Sequence, residues 1–173
     1  MLRCRPSLVV LLVCASAQAS PASAPANDLI DYEGFAKNVS DVRELRESRR
    51  VSEGQFARMA RMPGTVVLDA RSERLYRLRH IEGAVNLSLP EFTEATLAAV
   101  IPSRASRVLI YCNNNFKGAP RSFPEKAIAS ALNLSTYVSL HAYGYRNVYE
   151  LGPAIDVADS TLAFAGSEAG RPR

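Results

Sequence analysis

Short apolar runs bounded by polar turns predict a sheet of buried strands. Residues 65–69 read Thr-Val-Val-Leu-Asp, and residues 108–110 read Val-Leu-Ile. Continuous runs of this kind, rich in β-branched residues, are typical of strands that are covered on both faces. Residues 147–151 predict the last strand, and residues 80–87 predict a loop that turns into a short strand.

Amphipathic segments alternate with these strands and predict helices. Ser40 or Asp41 is expected to cap a helix that runs to about Arg50, and Ser52 begins a second helix with Gln55 as its capping-box partner. Further helices are predicted within residues 73–79, 91–100, 126–132 and 136–142. Because strands and helices alternate, we predict an α/β fold with an open, mainly parallel sheet of about five strands and helices on both faces.

The first nineteen residues have the pattern of a secretory signal peptide. Arg3 and Arg5 precede an apolar run at residues 8–13, and Ala17-Gln18-Ala19 is a small-x-small cleavage site. The run is too short to span a membrane, so we predict a periplasmic or secreted protein with no transmembrane segment in the mature chain. Cys14 follows the apolar run, which leaves a lipoprotein anchor open as an alternative.

The rest of the chain divides into three parts. Residues 20–50 are predicted to be a linker and an N-terminal arm and helix, with 20–27 rich in small residues and proline and 28–37 docking as an extended arm. Residues 51–157 hold the predicted strands and form the domain. Residues 158–173 become small and polar, which predicts a flexible tail.

Charge and composition exclude several classes of function. The formal net charge is +4, and the arginines of residues 43–50 are interleaved with Glu44 and Glu47, which indicates a solvated helix face rather than a nucleic-acid surface. Two histidines and scattered cysteines lack the spacing of metal ligands. We therefore predict no nucleic-acid partner, no metal and no cofactor.

Cys112 is the candidate for chemistry. Cys4 and Cys14 would leave with the signal peptide, so the mature chain would carry this single thiol. It follows a predicted buried strand, and ligands of α/β sheets bind beyond the carboxyl ends of strands. Backbone N–H groups and the positive end of a following helix would favour the thiolate, which is the nucleophile. A buried, inert cysteine remains the alternative.

Four segments in the right order resemble the rhodanese-like domain family, over about residues 51–151. Residues 80–86, His-Ile-Glu-Gly-Ala-Val-Asn, carry the most specific likeness. The other three segments are residues 66–71, 109–112 and 143–149. The resemblance implies sulfur transfer. The Cys112 thiolate would take sulfane sulfur from a small thiosulfate-like anion, become a persulfide, and pass the sulfur to an unidentified acceptor or partner protein.

The resemblance also assigns a substrate-binding loop to the residues after Cys112, namely Asn113, Asn114, Asn115, Phe116, Lys117 and Gly118. The loop departs from the family pattern, because three asparagines follow the cysteine and the nearest arginine is Arg121. Asparagine tolerates left-handed backbone conformations, so this run is expected to curl into an anion-binding nest. Asp69, Arg71 and Arg121 are expected to support the site.

Three alternatives remain open. The first is a non-catalytic binding module of the cell envelope that uses the enlarged loop as a recognition surface. The second is a phosphatase on the same fold, which needs Cys-x5-Arg, whereas position 118 is glycine; this alternative ranks last. The third is thiol redox sensing through intermolecular disulfides.

Overall fold

The computed structural model describes residues 27–170. The predicted signal peptide, the Cys14 anchor and residues 20–26 of the linker fall outside the described residues. Residues 27–30 form a small turn of their own, in which the Ile30 N–H donates to the Asn27 carbonyl oxygen at 3.0 Å. Among the described helices, none combines the length and apolar character needed to cross a membrane.

The predicted parallel sheet is confirmed. Within the described residues the strands are β1 (Arg50–Val51), β2 (Thr65–Asp69), β3 (His80–Ile81), β4 (Val85–Asn86), β5 (Arg107–Tyr111), β6 (Phe116–Lys117), β7 (Val148–Leu151), β8 (Ile155–Asp156) and β9 (Phe164–Ala165). Five of them lie side by side in the order β1-β7-β5-β2-β4, and every neighbouring pair is parallel. Two short strand pairs, β3 with β9 and β6 with β8, lie outside this sheet.

Helices cover both faces of the sheet, as predicted. They are α1 (Tyr32–Ser48), α2 (Glu53–Ala60), α3 (Glu73–Leu78), α4 (Glu94–Val100) and α5 (Leu132–Ala142). On one face α1, α4 and α5 pack on Val108 and Ile110 of β5. On the other face Phe56 of α2 packs on Leu109. The alternation of β5 side chains between two apolar clusters explains why its sequence is apolar throughout.

The start of α1 corrects the prediction for residues 28–41. The helix begins at Tyr32, not at residue 40 or 41, so residues 32–37 are helical rather than an extended arm. Asp31 is the cap, and its Oδ1 accepts from the Gly34 N–H at 2.8 Å. Val42 is buried against the sheet. Its packing stabilises a helix that is longer than the local sequence predicts.

Two helix boundaries after β4 also differ. Residues 89–91 form a 3₁₀ turn, and α4 begins at Glu94, where Thr93 and Thr96 form a capping box. Residues 126–132 do not form the predicted α-helix, because they hold only a 3₁₀ turn at Ile128–Ser130. Helix α5 then begins four residues earlier than predicted, at Leu132.

The segment after residue 157 differs from the predicted flexible tail. Residues 164–165 form β9, which pairs antiparallel with β3. Phe164 packs edge-on against Phe116 with ring centroids 5.1 Å apart, and the Glu168 Oε2 accepts from the Ser122 hydroxyl at 3.1 Å. Small and polar residues surround Phe164 in the sequence, so the composition of this segment did not indicate that it packs on the domain.

Candidate active site

Cys112 follows directly after β5, the central strand of the five-strand sheet. Alternation along the strand places Cys112 on the same face as Val108 and Ile110, the face covered by α1, α4 and α5. The residue is 2% exposed. The predicted nucleophile therefore lies at the carboxyl end of a central strand, as expected, but beneath the surface.

Backbone N–H groups surround the sulfur. The Asn115 N–H donates to the Cys112 Sγ, and hydrogen bonding from the N–H groups of Asn133, Asn114 and Asn115 lowers the pKa of the thiol. Asn133 belongs to the first turn of α5, so the positive end of that helix also points at the sulfur. This arrangement is an anion cradle that would stabilise negative charge on a sulfur atom.

The cradle does not make the thiol acidic in the resting protein. Burial raises the pKa of Cys112 above the ordinary cysteine value, and the carboxylate of Glu150 raises it further. The three N–H groups act in the opposite direction, and desolvation outweighs them. The expectation that the thiolate is favoured at rest is therefore wrong for this conformation.

Asn115 connects the elements around the cysteine. Its Oδ1 accepts from the Cys112 N–H at 2.8 Å and from the Asn133 Nδ2 at 3.1 Å. Its Nδ2 donates to the carbonyl oxygens of Leu151, at 2.8 Å, and Pro153, at 3.1 Å. One buried amide thus joins the ends of β5 and β7 to the start of α5.

We expect Asn115→Ala to lower the free energy of unfolding by about 1–3 kcal/mol, because buried hydrogen-bonding groups lose their partner. Urea unfolding measures this change. Asn114→Ala is the matched control, since the Asn114 side chain bonds the Lys126 backbone in an exposed setting, and its cost should stay below about 1 kcal/mol. Equal costs for the two variants would contradict the connecting role of Asn115.

The cradle is shorter than the predicted loop, because residues 116–118 leave the sulfur. Phe116 enters an aromatic cluster, 4.7 Å from the Phe123 ring centroid. Lys117 is exposed and pairs in β6 with Asp156 of β8. Gly118 turns the chain with φ +76°, and a Cβ there would lie 2.6 Å from the Asp156 Oδ1.

The asparagine run adopts a different conformation from the one predicted. Residues 113–115 form a 3₁₀ turn, and every described residue with positive φ is glycine. The predicted left-handed nest is therefore wrong. The N–H groups converge on the sulfur because the 3₁₀ turn follows the cysteine and α5 begins beside it.

Asp69 and Arg71 form a buried ion pair on the opposite side of β5 from the sulfur, with the Arg71 Nη2 2.6 Å from the Asp69 Oδ2. Arg71 also donates to the carbonyl oxygens of Ser122 and Arg79, each at 2.8 Å. The Tyr111 hydroxyl donates to the same carboxylate at 2.5 Å. These contacts hold the ends of β2 and β5 to the loop before residue 123.

Arg121 lies at the surface. Its side chain is 75% exposed, and its Nη2 lies 3.3 Å from the Glu168 Oε1. The structure thus brings together Cys112 with Asn113, Asn114 and Asn115, and separately Asp69 with Arg71. It leaves Arg121 and Lys117 outside both groups.

Two residues at the site were missed from the sequence. Asn133 lies beyond the predicted loop, and nothing local indicated that its N–H would reach Cys112. Glu150 carried a signal, because it is a charged residue inside the apolar run of β7, where it is 2% exposed. Buried charges need partners, so its position indicated a paired basic residue.

Three buried polar atoms of Asn113 and of the first turns of α5 have no hydrogen-bond partner among the described residues, namely the Oδ1 atoms of Asn113 and Asn133 and the Oγ1 of Thr136. Asn113 follows the cysteine directly, and Asn133 and Thr136 lie one helical turn apart on α5. Such atoms are available to a polar ligand or to water. Over residues 27–170, no group of histidine, cysteine and carboxylate side chains has the arrangement of a metal site.

Comparisons with known proteins agree with this architecture. The sequence profile of the family described as "Rhodanese-like domain" matches residues 52–152. Among solved structures, the BH2092 protein from Bacillus halodurans superposes with a TM-score of 0.54 and 17% identity, covering 80% of this chain and 91% of that one. This likeness shows the fold.

Two further solved structures are similar at lower scores. The rhodanese-like domain of the Alr3790 protein from Anabaena has a TM-score of 0.48 and 18% identity, covering 72% of this chain and 83% of its own. A rhodanese with anions from E. coli has a TM-score of 0.41 and 21% identity, covering 60% and 99% respectively. No curated protein matches the chain.

Proposed function

The chain belongs to the rhodanese-like domain family, and from this premise we propose that it is a sulfurtransferase or persulfide carrier with Cys112 as its nucleophile. The family includes sulfurtransferases. The observation that carries the proposal is the convergence of three backbone N–H groups on the Cys112 sulfur. An uncharged thiol gains little from such a cradle, whereas a thiolate or a persulfide anion is stabilised by it.

The proposed reaction has two steps. The Cys112 thiolate attacks the outer sulfur of a thiosulfate-like anion; a new S–S bond forms, the donor S–S bond breaks, and sulfite leaves with the electron pair. The resulting persulfide anion then gives its terminal sulfur to a nucleophile such as cyanide, and Cys112 returns to the thiolate. No external oxidant or reductant is needed.

Burial sets two requirements on this reaction. Cys112 is 2% exposed, so donor binding requires that neighbouring loop residues move. The thiol must also lose its proton, which burial opposes. Loading with sulfur is therefore the slow step in our proposal, and the cradle acts mainly after the negative charge has formed.

The test is incubation of the protein with thiosulfate, followed by intact mass measurement and by thiocyanate release on addition of cyanide. We expect a gain of one sulfur atom on Cys112. Because the pKa of this thiol is raised by burial, the thiolate fraction and the loading rate should rise with pH through neutrality and level off only above the ordinary cysteine range, about 8.5. No gain of sulfur at any pH, with thiosulfate or with a persulfide donor, would contradict the proposal.

The burial of the thiol favours a second candidate, a non-catalytic binding module of the same fold. On this alternative Cys112 fills the end of β5 as a small apolar residue, and the exposed part of residues 117–131 contacts a partner. It predicts that the thiol never gains sulfur and that Cys112→Ser leaves partner binding intact. The mass measurement above separates the two candidates.

We further propose that the protein acts after export, in the periplasm or outside the cell. Support comes from the signal-peptide pattern of residues 1–19. Fractionation of cells that express the full chain, with N-terminal sequencing of the product, tests this proposal. A product that keeps Met1 or Leu2 and stays in the cytoplasm would contradict it.

A further inference from the structure

Helix α1 lies before residues 52–152, the part that matches the family, yet it contacts a buried charge close to the cysteine. The Arg46 Nη2 donates to the Glu150 Oε1 at 2.6 Å, and the Arg46 Nε donates to the Oε2 at 2.9 Å. This fork-to-fork pairing uses both oxygens of a carboxylate whose side chain is 2% exposed. It is the strongest geometry available to an arginine and a carboxylate.

Glu150 and Cys112 share one face of the sheet. Strands β5 and β7 are parallel neighbours, and Ile110 lies opposite Glu150. Cys112 stands two residues after Ile110, so its side chain returns to the face on which Ile110 and Glu150 lie. The two side chains are therefore diagonal neighbours across adjacent strands. After burial itself, the negative charge of Glu150 is what raises the pKa of Cys112.

Other charged or titratable groups act on Glu150 from β1, α1 and α5. Arg50 of β1 lies 3.3 Å away, from its Nε to the Glu150 Oε1, with 43% of its side chain exposed. Glu47 of α1 acts against both arginines. On α5, burial raises the pKa of Tyr137 to about 12, and Arg49 lowers it in part, so this tyrosine is neutral near pH 7.

Arg46 is thus the group that neutralises Glu150 most directly. Burial raises the pKa of Glu150, and Arg46 is the foremost group that lowers it, ahead of Arg50. A buried carboxylate without its arginine would present a full negative charge to the sulfur across a medium of low dielectric constant.

We propose that Arg46 is a positioning residue for Cys112, which acts by holding Glu150 and so reduces the negative charge that the sulfur meets when it becomes an anion. This inference rests on the proposed function and deepens it, since it makes α1 part of the control of the nucleophile. A thiolate and a persulfide anion are both negatively charged and are both repelled by the Glu150 carboxylate. By neutralising that carboxylate, Arg46 favours both steps of the transfer.

The test is the rate of Cys112 alkylation by iodoacetamide as a function of pH, in the full chain. The midpoint of this profile gives the apparent pKa of the Cys112 thiol, and its plateau depends on how easily iodoacetamide reaches the thiolate. We expect Glu150→Gln to move the midpoint to lower pH, with about threefold to tenfold faster alkylation at pH 7. Arg46→Met should move it to higher pH and slow alkylation by a similar factor, because Arg50 alone then faces Glu150.

Three further variants separate charge from structure. Arg46→Lys keeps the charge without the fork, so it should restore a midpoint near that of the wild type even if stability falls. Arg43→Met removes an exposed arginine of the same helix and should leave the midpoint unchanged. The double variant Arg46→Met/Glu150→Gln should match Glu150→Gln, which keeps the test decisive if Arg46→Met alone does not fold.

The inference is overturned if Glu150→Gln leaves the midpoint unchanged, if folded Arg46→Met leaves it unchanged, or if the double variant differs from Glu150→Gln. Alkylation requires no sulfur donor, so it is independent of the transfer assay. A chain that shows the expected shifts but never accepts sulfur would contradict the proposed function alone.

Discussion

Cys112→Ser is expected to reduce thiocyanate formation by more than about a thousandfold, to the rate of the uncatalysed reaction. A serine hydroxyl in the same place is far less nucleophilic and cannot form a persulfide. The gain of one sulfur atom seen in the intact mass of the wild type should also disappear. Thiosulfate and cyanide as substrates, with thiocyanate as the measured product, give the rate directly.

The serine variant also carries its own control for folding. The serine oxygen is smaller than sulfur and can accept hydrogen bonds from the same backbone N–H groups. The thermal unfolding midpoint should therefore change little, although activity is lost. Retained thiocyanate formation in a folded Cys112→Ser protein would show that another group performs the transfer. That outcome would remove Cys112 from the mechanism.

Arg71→Met is expected to lower the free energy of unfolding by about 3–5 kcal/mol, because it leaves the buried Asp69 carboxylate without its cation. Both side chains of this pair are 0% exposed, so water cannot replace the lost interaction without opening the core. The carbonyl oxygens of Ser122 and Arg79 lose a donor as well. Urea unfolding, followed by circular dichroism, measures the change.

The matched control for this variant is Arg77→Met. Arg77 pairs with Glu73 at 2.5 Å on the surface of α3, where the two side chains are 74% and 67% exposed. Exposed pairs contribute at most about 1 kcal/mol, so this variant should unfold close to the wild type. Similar losses in both variants would mean that the Asp69–Arg71 pair is not specially stabilising.

The sequence predicted the parts of the fold that depend on local pattern. The apolar runs of β2 and β5 and the strand-end position of Cys112 follow from burial and chain alternation, which are visible in neighbouring residues. Helix α1 was predicted too short, because its early start depends on the Asp31 cap and on the packing of Val42. Local propensity carries no information on that packing.

The details of the site depend on contacts between distant segments. The N–H of Asn133 acts on a sulfur 21 positions earlier in the chain, whereas the local pattern predicts that α5 begins only at residue 136. The cradle alone predicts a low pKa for Cys112. Desolvation raises this pKa instead, because segments from elsewhere in the chain pack on the cysteine and bury it.

The hydrogen bonds of the Asn115 side chain have a consequence for the folding of the chain. Its Nδ2 donates to carbonyl oxygens of residues 151 and 153, so the contacts around the thiol are incomplete until that part of the polypeptide has folded against β5. Contacts between segments this far apart also form slowly. During folding, the thiol is therefore exposed for a time to oxidants and to other thiols. It becomes buried when β7 pairs with β5.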